Sequence, residues 1–537
     1  MMTKRSFITY IRFLTLAAAL MASTATLRAD LRTSLGQVQQ ALLAIDYFYV
    51  DTVNDAKLSE AAVRAMLKEL DPHSTYLTAD EVKAMTEDLG GNFDGIGVRY
   101  QMERDTLLII STVHDGPSER LGIMAGDRIV MVDDTLVAGV KMSNKEIQRR
   151  LRGPRGTHVK VSVLRDDDPE LIHFDVVRDK IPVYSVEAAY MVEPGIGYVK
   201  VVRFAQTTPD EFREALGRLT EQGMQHLILD LQDNGGGYLQ SSVDLANRFL
   251  PRGTNIVYTV GRTERRRDYL TEAGRKFEGR LVVLIDEESA SASEILSGAI
   301  QDHDRGVIVG RRSFGKGLVQ RPIDLPGGAM MRLTTSHYYT PSGRCIQKPY
   351  TRGEGEDYAR DLANRYKHGE LYSPDSIRFA DSLRCYTDAG RTVYGGGGIM
   401  PDVFVPLDTT RVSKTHRNII ARGTLNRFIL DYFSRNQKAL KQKYRNVEQY
   451  ARHFEVTPAM VDTLLARAVR DSVRIDTLDL QRSLPLLKRQ VKANIAADLF
   501  EQGDFSRIMN GENPIFRRAL DIIRDEREYR RLLMPER

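Results

Sequence analysis

A run of alternating small residues is the first candidate for chemistry in this sequence. Residues 289–295 read Ser-Ala-Ser-Ala-Ser-Glu-Ile and come shortly after an apolar stretch, Leu281 to Ile285. Small residues after a buried strand let the chain turn tightly into a helix, and a hydroxyl at that turn faces the positive helix end, where a developing oxyanion is stabilised. Ser291 and Glu294 alone also fit a Ser-x-x-Glu capping box, which needs no catalysis. Ser291 is therefore a candidate nucleophile with helix capping as its structural alternative.

A lysine between two glycines is the candidate base. It lies in the stretch 313–320, which reads Ser-Phe-Gly-Lys-Gly-Leu-Val-Gln. Burial lowers the pKa of a lysine and makes its neutral amine available to accept the proton of a serine hydroxyl. Gln320 could hydrogen-bond the amine of Lys316 and orient it. The two motifs together predict nucleophilic catalysis by Ser291 with Lys316 as general base.

Other interpretations of the same residues stay open. Gly310 to Lys316 satisfies the G-x-x-x-x-G-K start of a phosphate-binding loop, although Gly317 stands where Ser or Thr should bind magnesium. His303 could complete a Ser-His-Asp arrangement, but it is expected at the far end of the helix that Ser291 begins, and a helix rises about 1.5 Å per residue. A helix-end histidine that meets the helix dipole is the simpler account. His337 is a second candidate, in a predicted strand where histidines are usually structural.

No metal or cofactor is expected. The sequence has no His-Glu-x-x-His and no paired-cysteine motif, so a zinc site has no support. The two cysteines, Cys345 and Cys385, could pair in an oxidising compartment or stay free, and sequence alone does not decide. The 77 Lys and Arg against 72 Asp and Glu leave a net charge of +5 over 537 residues. We therefore expect no nucleic acid as a partner.

The elements that would position these residues alternate between strands and helices after about residue 195. Short apolar runs predict buried strands, and periodic runs predict the helices that cover them. In chain order these are a helix from Thr208 to Leu219, a strand from His226 to Leu231, a helix from Tyr238 to Leu250, a strand from Leu281 to Ile285, a helix from Ser291 to Ile300 and a strand from Gly306 to Gly310. This order predicts a mixed sheet with covering helices.

The regions around this core have other patterns. Residues 31–89 show helical periodicity, and residues 92–178 show the short alternating runs of a small mostly-β unit. Residues 345–394 are polar and charged, as in an insertion or a long surface loop. Residues 411–537 look mainly helical and carry 26 Lys and Arg against 16 Asp and Glu, a net charge of +10. That charge belongs to a solvated surface or faces an anionic partner or membrane.

The first 30 residues predict export. Lys4, Arg5 and Arg12 precede an apolar stretch from Phe13 to Met21, which is followed by small residues in the order of a secretory signal. Residues 1–25 are therefore a signal peptide or, if uncleaved, an anchor in the inner membrane. We predict a periplasmic protein, which has no ready supply of ATP or nicotinamide and contacts the membrane only through this segment.

The mostly-β unit resembles a PDZ domain. The resemblance rests on Gly-Ile-Gly-Val at 95–98, Gly-Pro-Ser at 116–118 and the stretch from Leu121 to Ile129. In that family the Gly-x-Gly-apolar loop presents backbone N–H groups to a peptide's terminal carboxylate, and an exposed strand edge accepts the peptide as an added strand. Glycine suits such a loop because it permits close backbone approach. The resemblance implies a peptide-binding loop made of Gly95, Ile96, Gly97 and Val98.

More than half of the chain resembles the carboxyl-terminal processing (tail-specific) serine proteases. The matching motifs, which appear in the family's order, are at 70–77, 95–129, 289–295, 314–320, 338–344 and 398–403. The resemblance implies a multidomain α/β protein: a crotonase-like α/β core with an inserted mostly-β PDZ domain and helical N- and C-terminal segments. The expected boundaries are 31–90 for the N-terminal helical segment, 91–180 for the PDZ domain, 181–410 for the core and 411–537 for the helical C-terminal region.

The resemblance assigns catalytic roles by motif. It makes Ser291 the nucleophile, with Ser289 and Ser293 as alternatives in the same run. Lys316 is the base and Gln320 is its orienting partner. These roles imply a Ser-Lys dyad that works through an acyl-enzyme.

The resemblance also implies an oxyanion hole. In the family, a Leu-Arg-x-Asn-x-Gly-Gly stretch and the residue after the nucleophile donate its N–H groups, which here means Gly236 or Gly237 with Ala292. This sequence has Gln232 where Arg is usual and Gly235 where Pro often stands. Backbone donors survive both changes, but the role of the Arg side chain is left open.

The function implied is an exported endopeptidase that captures protein C-terminal tails on its PDZ domain and hydrolyses them. Its partners would be proteins or peptides with accessible C-termini, and a second copy of the chain or an adaptor protein is a further candidate. A second hypothesis is a catalytically silent PDZ scaffold or chaperone on the same fold. It is motivated by the intact peptide-binding loop beside the altered pair Gln232 and Asp233.

Overall fold

The computed structural model describes residues 30–103, 105–165 and 170–534. The predicted export signal lies outside these ranges. Within them, no helix combines the length and the apolar character that crossing a bilayer requires. Cys345 and Cys385 are both free thiols.

The N-terminal segment contains a strand as well as the predicted helices. Its elements are α1 (30–48), α2 (Asp55–Lys68), β1 (Thr75–Leu77) and α3 (Ala79–Leu89). α3 starts at a capping box, in which the Glu81 carboxylate accepts the Thr78 N–H at 2.8 Å and the Thr78 hydroxyl accepts the Glu81 N–H. The helical periodicity of the segment does not predict the strand. It forms because its backbone pairs antiparallel with residues 330–332 of the core, a partner that periodicity cannot reveal.

Residues 92–182 form a small β domain. Its elements are β2 (Asn92–Gly95), β3 (Val98–Glu103), β4 (Thr106–Thr112), α4 (Pro117–Arg120), β5 (Arg128–Val132), β6 (Thr135–Leu136), α5 (Asn144–Leu151), β7 (His158–Leu164), β8 (Ile172–Val177) and β9 (Asp179–Pro182). One sheet has the order β3-β4-β5-β7-β8, with β6 beside β5. Leu107, Ile129, Ile147 and Val161 belong to the apolar core of this domain. β3 lies at the edge of this sheet, and none of the strands that the structure describes pairs with its outer side, which could therefore accept an added strand.

The α/β core follows as a long region. Its elements are β10 (Val186–Glu193), β11 (Ile196–Val201), α6 (Thr208–Glu221), β12 (His226–Asp230), α7 (Leu239–Ala246), β13 (Asn255–Gly261), β14 (Arg267–Leu270), β15 (Leu281–Ile285), α8 (Ala292–Asp302), β16 (Val307–Gly310), β17 (Leu318–Asp324), β18 (Met330–Tyr339), α9 (Gly355–Lys367), β19 (Arg384–Tyr386), β20 (Thr392–Tyr394) and β21 (Val403–Phe404).

The main sheet of this core has the order β10-β11-β12-β15-β16-β21. β10 and β11 are antiparallel and the other neighbours are parallel, which confirms the predicted mixed sheet. Helices α6, α7 and α8 cover one face, where Phe212, Phe249 and Leu296 pack against the strands. Every residue of β15 is buried, so the opposite face of the sheet must be covered as well.

A second, antiparallel sheet has the order β1-β18-β13-β14, with β17 also paired to β18. Lys316 closely precedes β17, and Gln320 lies on it. Tyr338 lies near the end of β18. This sheet therefore joins the N-terminal segment to the strand that follows the lysine motif.

Of the two expectations for residues 345–394, an insertion or a long surface loop, the structure contradicts the loop. These residues contain α9 and the β19–β20 pair. Arg365 of α9 is 2% exposed and donates to the backbone carbonyls of Arg312 and Ser313. Glu370 forms ion pairs with both Arg312 and Arg365. Charged residues of the segment are thus used in buried contacts with the loop that precedes Lys316.

The C-terminal region is helical, as predicted, and has two parts. Its helices are α10 (Lys414–Ala421), α11 (Thr424–Lys443), α12 (Val447–His453), α13 (Pro458–Arg470), α14 (Thr477–Leu499), α15 (Asp504–Met509), α16 (Pro514–Arg524) and α17 (Glu526–Leu532). Helices α10 to α15 share their own apolar core. Helix α16 instead lies on the second face of the main sheet, where Phe516 and Ile522 belong to one cluster with Tyr198 and Val282. Part of the region expected to be separate is therefore integral to the α/β core.

The helical bundle also packs against the small β domain. Leu430 of α11 contacts Leu108 and Ile110, which alternate along β4 with residues of the domain's own core. Arg99 of β3 forms an ion pair with Asp498 of α14. β4 is consequently apolar on both faces, because each face is covered by a different part of the protein.

The packing of α16 predicts a large loss of stability when Phe516 is truncated. Phe516 is 5% exposed, and Phe516→Ala leaves a cavity between α16 and the sheet. We expect the free energy of unfolding to fall by about 3 to 5 kcal/mol, measured by denaturant titration. Arg517→Ala on the exposed side of the same helix is the control and should change it by less than about 0.5 kcal/mol. Equal effects of the two substitutions would mean that α16 does not cover the sheet.

Candidate active site

Ser291 lies at the sharp turn between β15 and α8. The strand ends at Ile285, and Ala292 is the first residue of the helix, so Ser291 is its capping residue. Its φ is 55° and its ψ is −111°, a conformation that residues with a side chain rarely adopt. Ser291 is partly exposed, whereas Ala290 and Ala292 on either side are buried. The turn therefore presents the Ser291 hydroxyl at the positive end of α8.

The two alternative serines are not accessible. Ser289 and Ser293 are both fully buried. The Ser289 hydroxyl donates to the carbonyl of Leu231 at 2.7 Å, and the Ser293 hydroxyl donates to the carbonyl of Asn234 at 2.8 Å. Both hydroxyls thus attach the turn to the loop after β12, and Ser291 is the serine of the run that a substrate can reach.

One buried carboxylate joins the serine turn to the lysine loop. Glu294 is fully buried, and one of its oxygens accepts the N–H groups of Ser291 at 2.8 Å and of Lys316 at 2.9 Å. The other oxygen accepts the Gly315 N–H at 2.7 Å and the Ser313 hydroxyl. Burial raises the pKa of Glu294, while these hydrogen bonds oppose the rise. Because each oxygen accepts from a backbone N–H, the arrangement fits the ionised carboxylate.

Tyr338 makes a second link between the same two residues. Its ring is buried, and its hydroxyl lies 3.1 Å from the carbonyl oxygen of Ser291 and within hydrogen-bond distance of the carbonyl oxygen of Lys316. The backbones of Ser291 and Lys316 are therefore held together on their N–H sides by Glu294 and on their carbonyl sides by Tyr338.

Lys316 has the electrostatic environment of a general base. Its pKa is lowered to about 8, first by burial and then by the positive charge of Arg332, while Glu294 and Asp71 act in the opposite direction. Among the described residues, no hydrogen bond joins the amine of Lys316 to Ser291. Catalytic hydrogen bonds are often long before substrate binds and tighten in the complex.

Gln320 does not make the predicted contact with Lys316 in this structure. Its amide nitrogen lies 3.2 Å from the hydroxyl of Thr334, which in turn lies 3.0 Å from the Asp71 carboxylate. The register of β17 and β18 shifts between Val319 and Gln320, and such an irregularity redirects a side chain relative to a regular strand. Gln320 therefore connects β17 to the N-terminal segment rather than orienting the amine directly.

The glycine loop after β12 lies against the nucleophile. A Cβ on Gly236 would be 2.8 Å from the Cβ of Ser291, so glycine is required there. The Gly236 N–H donates to the Asn234 side chain at 2.9 Å and is thus not free for substrate. Across the described residues, neither Gly237 nor Ala292 donates its N–H to another group. These two remain as the backbone donors for an oxyanion.

Gln232, which stands where the family usually has Arg, makes two side-chain hydrogen bonds. Its amide donates to the Asp230 carboxylate at 3.0 Å, and its carbonyl accepts from the side chain of Asn513 at 3.3 Å, just before α16. Next to it, the Asp233 N–H donates to the Asp286 carboxylate. The pKa of Asp286 is raised to about 7 by burial and by the charge of Asp233. The altered pair therefore connects the glycine loop to α16 and to the end of β15.

A histidine that the sequence analysis did not single out lies beside Lys316. His73, in the stretch that follows α2, hydrogen-bonds the Tyr358 hydroxyl of α9 at 2.8 Å. The pKa of His73 is lowered to about 4 by burial and by the charge of Lys316, so its imidazole is neutral at physiological pH. The matched motif at 70–77 contains His73 and could have indicated it.

Helix α9 is a second part of the site that the sequence did not indicate. Besides Tyr358, it supplies Asp361, which pairs with Lys348 at 2.8 Å. The Lys348 amine lies over the rings of Phe314 and Tyr358 at 3.8 and 4.1 Å from their centres. The lysine loop is therefore packed against α9, although no motif in residues 345–394 marks them as part of the site.

The Ser-His-Asp alternative does not form with either histidine. His303 follows α8 at the end opposite Ser291, which is the position that the sequence predicts for it. There it contacts the Asp388 carboxylate at 2.7 Å. His337 is exposed and neighbours Tyr338 on β18. Because successive strand residues point to opposite faces and Tyr338 faces Ser291, His337 points away from it.

The element that follows the motif at 310–316 excludes a phosphate-binding loop. The motif from Gly310 to Lys316 is followed by the strand β17 and not by a helix. A P-loop binds phosphate at the N-terminus of the helix that it begins. This segment lacks that helix, so its glycines serve the close packing of the lysine loop.

The predicted peptide-binding loop precedes the edge strand β3. Its carbonyl oxygens are occupied, since Ser118 donates to the carbonyl of Ile96 and the Val113 N–H donates to that of Gly97. Gly97 has a φ of 74°, which suits glycine. In the part of the chain that the structure describes, the N–H groups of Ile96 and Gly97 have no hydrogen-bond acceptor. The loop can therefore offer two N–H donors to a carboxylate.

The contacts of Glu294 predict that Glu294→Gln destabilises the protein. The amide keeps the shape but places an NH₂ group against backbone donors, so at least one buried N–H loses its acceptor. We expect the free energy of unfolding to fall by about 1 to 3 kcal/mol in denaturant titration. Glu288→Gln, on the exposed part of the same turn, is the matched control and should be neutral. An unchanged stability of Glu294→Gln would contradict the four-donor arrangement.

Family models and known proteins match the chain in the same regions. A PDZ domain model matches residues 95–187, a model of peptidase family S41 matches residues 195–354, and a family of unknown function matches residues 415–501. The carboxy-terminal-processing protease of Bartonella bacilliformis is 36% identical over 312 residues, which cover 56% of this chain and 69% of that protein. The carboxy-terminal processing protease CtpA of Bacillus subtilis is 31% identical over 331 residues, covering 60% of this chain and 70% of the relative.

Solved structures are similar as well. The photosystem II D1 C-terminal processing protease is 29% identical, with 57% of this chain and 89% of that chain covered and a TM-score of 0.33. The PDZ domain of a carboxy-terminal protease from Vibrio cholerae, solved in complex with a peptide, is 33% identical, covers 17% of this chain and 97% of that one, and has a TM-score of 0.16. On the sequence relatives and the family models, the chain belongs to peptidase family S41, the carboxy-terminal processing serine proteases, and it carries a PDZ domain.

Proposed function

We propose that this chain is an exported endopeptidase that cleaves protein C-terminal tails with a dyad of Ser291 and Lys316. The observation that carries the proposal is the buried carboxylate of Glu294, which binds the N–H groups of both residues. It holds an accessible serine and a lysine of lowered pKa in one rigid unit. A nucleophile and its base need such mutual positioning to react.

The proposed chemistry begins with neutral Lys316. Its amine accepts the proton of the Ser291 hydroxyl as the oxygen attacks the substrate carbonyl. The N–H groups of Gly237 and Ala292, with the positive end of α8, stabilise the oxyanion that forms. The protonated amine then returns the proton to the leaving nitrogen, and water hydrolyses the acyl-enzyme by the same steps.

Substrate capture is assigned to the PDZ domain. The N–H groups of Ile96 and Gly97 would bind the terminal carboxylate, and the free edge of β3 would accept the tail as an added strand. This mode recognises the chain end through backbone groups, so it suits many proteins with accessible C-termini. An adaptor that presents such proteins would be a further partner.

The cellular site of the reaction is proposed from residues 1–25. Their basic start and apolar stretch support export to the periplasm, with cleavage of the signal or its retention as an inner-membrane anchor. A dyad of serine and lysine uses only the chain's own side chains. Such chemistry suits an exported enzyme, because the periplasm has no ready supply of ATP or nicotinamide.

The dyad predicts that Ser291→Ala abolishes proteolysis. We expect kcat/KM on an unstructured protein with a free C-terminus to fall about a thousandfold or more, because neither neighbouring serine can replace the nucleophile. The variant should also lose covalent labelling by a fluorophosphonate probe. Ser434→Ala, an exposed serine on α11, is the control and should keep both properties. A Ser291→Ala protein that still cleaves would leave Ser291 as a helix cap and return the catalytic assignment to the other serines.

The lowered pKa of Lys316 predicts a pH profile with one rising limb. The base works as the neutral amine, whose fraction grows about tenfold per pH unit below its pKa of about 8 and levels off above it. We therefore expect kcat/KM to rise with pH to a plateau above about pH 8. His73 should not add a second step to this profile, because its pKa of about 4 lies below the pH range measured. Arg332→Gln removes a neighbouring positive charge and should move the midpoint to higher pH. A profile that is flat from about pH 6 to pH 9 in both proteins would rule out Lys316 as the base.

A further inference from the structure

A cavity lies between the edge strand of the PDZ domain and the helical bundle. Its volume is about 220 Å³, far more than the roughly 10 to 15 Å³ that one water needs. Arg99, Tyr100 and Gln101 of β3 line one side, and residues of α11 and α14 line the other. Because side chains alternate between the two faces of a strand, three consecutive residues border one cavity only where it reaches the free edge of the sheet. The cavity therefore opens beside the outer side of β3.

The cavity wall carries amide side chains with unused hydrogen-bonding capacity. Among the described residues, no hydrogen bond reaches the side chain of Gln101 or of Asn426, the α11 residue of the wall. The Asn494 amide of α14 donates to the carbonyl of Gln490 at 2.8 Å, which leaves its oxygen available as an acceptor. Amide side chains both donate and accept. The cavity thus offers donors and acceptors to a polar group that enters it.

The charged residues of the wall neutralise each other. Arg99 donates from one terminal nitrogen to the Asp498 carboxylate and from the other to the side chain of Gln502. A charged group entering the cavity would therefore lose its water without meeting a free counter-charge, which is costly. The chemistry of the wall consequently favours the uncharged polar side chains of serine, threonine, asparagine and glutamine.

Gln101 points to the face of the PDZ sheet that the bundle covers. Its partner across the sheet is Leu108, which packs against Leu430 of α11. Residues directly opposite each other on paired strands share a face. Tyr100, the preceding residue, instead packs against the domain's own core. A strand added to β3 would therefore alternate between the core of the domain and the cavity.

The register of an added tail follows from the peptide-binding loop. A terminal carboxylate held by that loop places the last residue of the tail beside Val98, and the tail then runs antiparallel to β3. The second and fourth residues from the end lie beside Arg99 and Gln101, and the third lies beside Tyr100. The fourth residue therefore meets the wall where the amide is unoccupied, whereas the second meets a guanidinium already bound to Asp498.

We propose that this cavity is a specificity subsite, which accepts an uncharged polar side chain at the fourth residue from the C-terminus of the substrate. The inference rests on the capture of tails by the PDZ domain proposed above. The peptide-binding loop recognises only the chain end, because it contacts the tail through backbone groups. The bundle adds recognition of a side chain through Asn426 and Asn494, so the C-terminal region takes part in selecting substrates.

The affinity of tail peptides tests the subsite. The full chain carrying Ser291→Ala is titrated into fluorescein-labelled peptides with a free C-terminus, and Kd is measured by fluorescence anisotropy. We expect a tail with Gln at the fourth residue from the end to bind about 3- to 10-fold more tightly than a tail with Leu there, which is the effect of one net hydrogen bond. The same exchange at the third residue, which faces the core of the domain, should not favour Gln.

The substitution Asn426→Ala tests the contribution of the bundle. Asn426 is exposed, so the variant should keep its fold. We expect it to remove most of the advantage of Gln over Leu at the fourth residue and to leave the affinity for the Leu tail unchanged. Asn436→Ala, on the same helix but outside the cavity, is the matched control and should keep the advantage. A variant that merely loosened the bundle would weaken both tails alike.

The outcomes separate the subsite from the capture on which it rests. Equal affinities for the two tails, a preference for Lys or Glu at the fourth residue, or an advantage of Gln that survives Asn426→Ala would each overturn the subsite. Amidated peptides test the capture itself, since an amide removes the terminal charge. If amidation leaves Kd unchanged, the capture by the peptide-binding loop is wrong and the subsite falls with it.

Discussion

The site depends on the burial of one negative charge. A carboxylate taken out of water is costly unless its oxygens receive hydrogen bonds. Glu294 meets this requirement only if the turn that carries Ser291 and the loop that carries Lys316 both bring their N–H groups to it. The cost of burying the charge is therefore offset by the contacts that assemble the dyad. The same Ser-x-x-Glu spacing that suggests a simple helix cap is what places this carboxylate at the centre of the site.

The main sheet fixes the positions from which these two loops start. β15 and β16 are parallel neighbours, so the turn before α8 and the loop before β17 leave the sheet at the same edge. Both strands are apolar on both faces and are stable only when both faces are covered. Helices α6 to α8 cover one face and α16 covers the other. The end of the chain is thus required for the sheet, and Asn513 also holds the loop of Gln232.

Two further regions pack near the dyad without contributing its reacting groups, and a third connects the PDZ domain to the rest of the chain. The stretch after α2 brings His73 to Lys316, and α9 packs on the loop before that lysine. The helical bundle reaches the PDZ domain through Leu430 and through Asp498, which pairs with β3. The strand proposed to receive the substrate tail is therefore attached to the bundle. This geometry connects the PDZ domain to the catalytic core through the C-terminal region.

The sequence by itself determined the features that depend on neighbours along the chain. Apolar runs predict the strands and periodic runs the helices, because these patterns follow from local geometry. The motifs indicate Ser291 and Lys316, and small residues explain the tight turn. Only the tertiary structure decided which partners meet: that Glu294 joins both loops, that Gln320 bonds β18, that Gly236 has its N–H occupied. These outcomes depend on contacts between distant segments, and a buried hydrogen bond is set by the position of its partner, which periodicity and spacing do not contain.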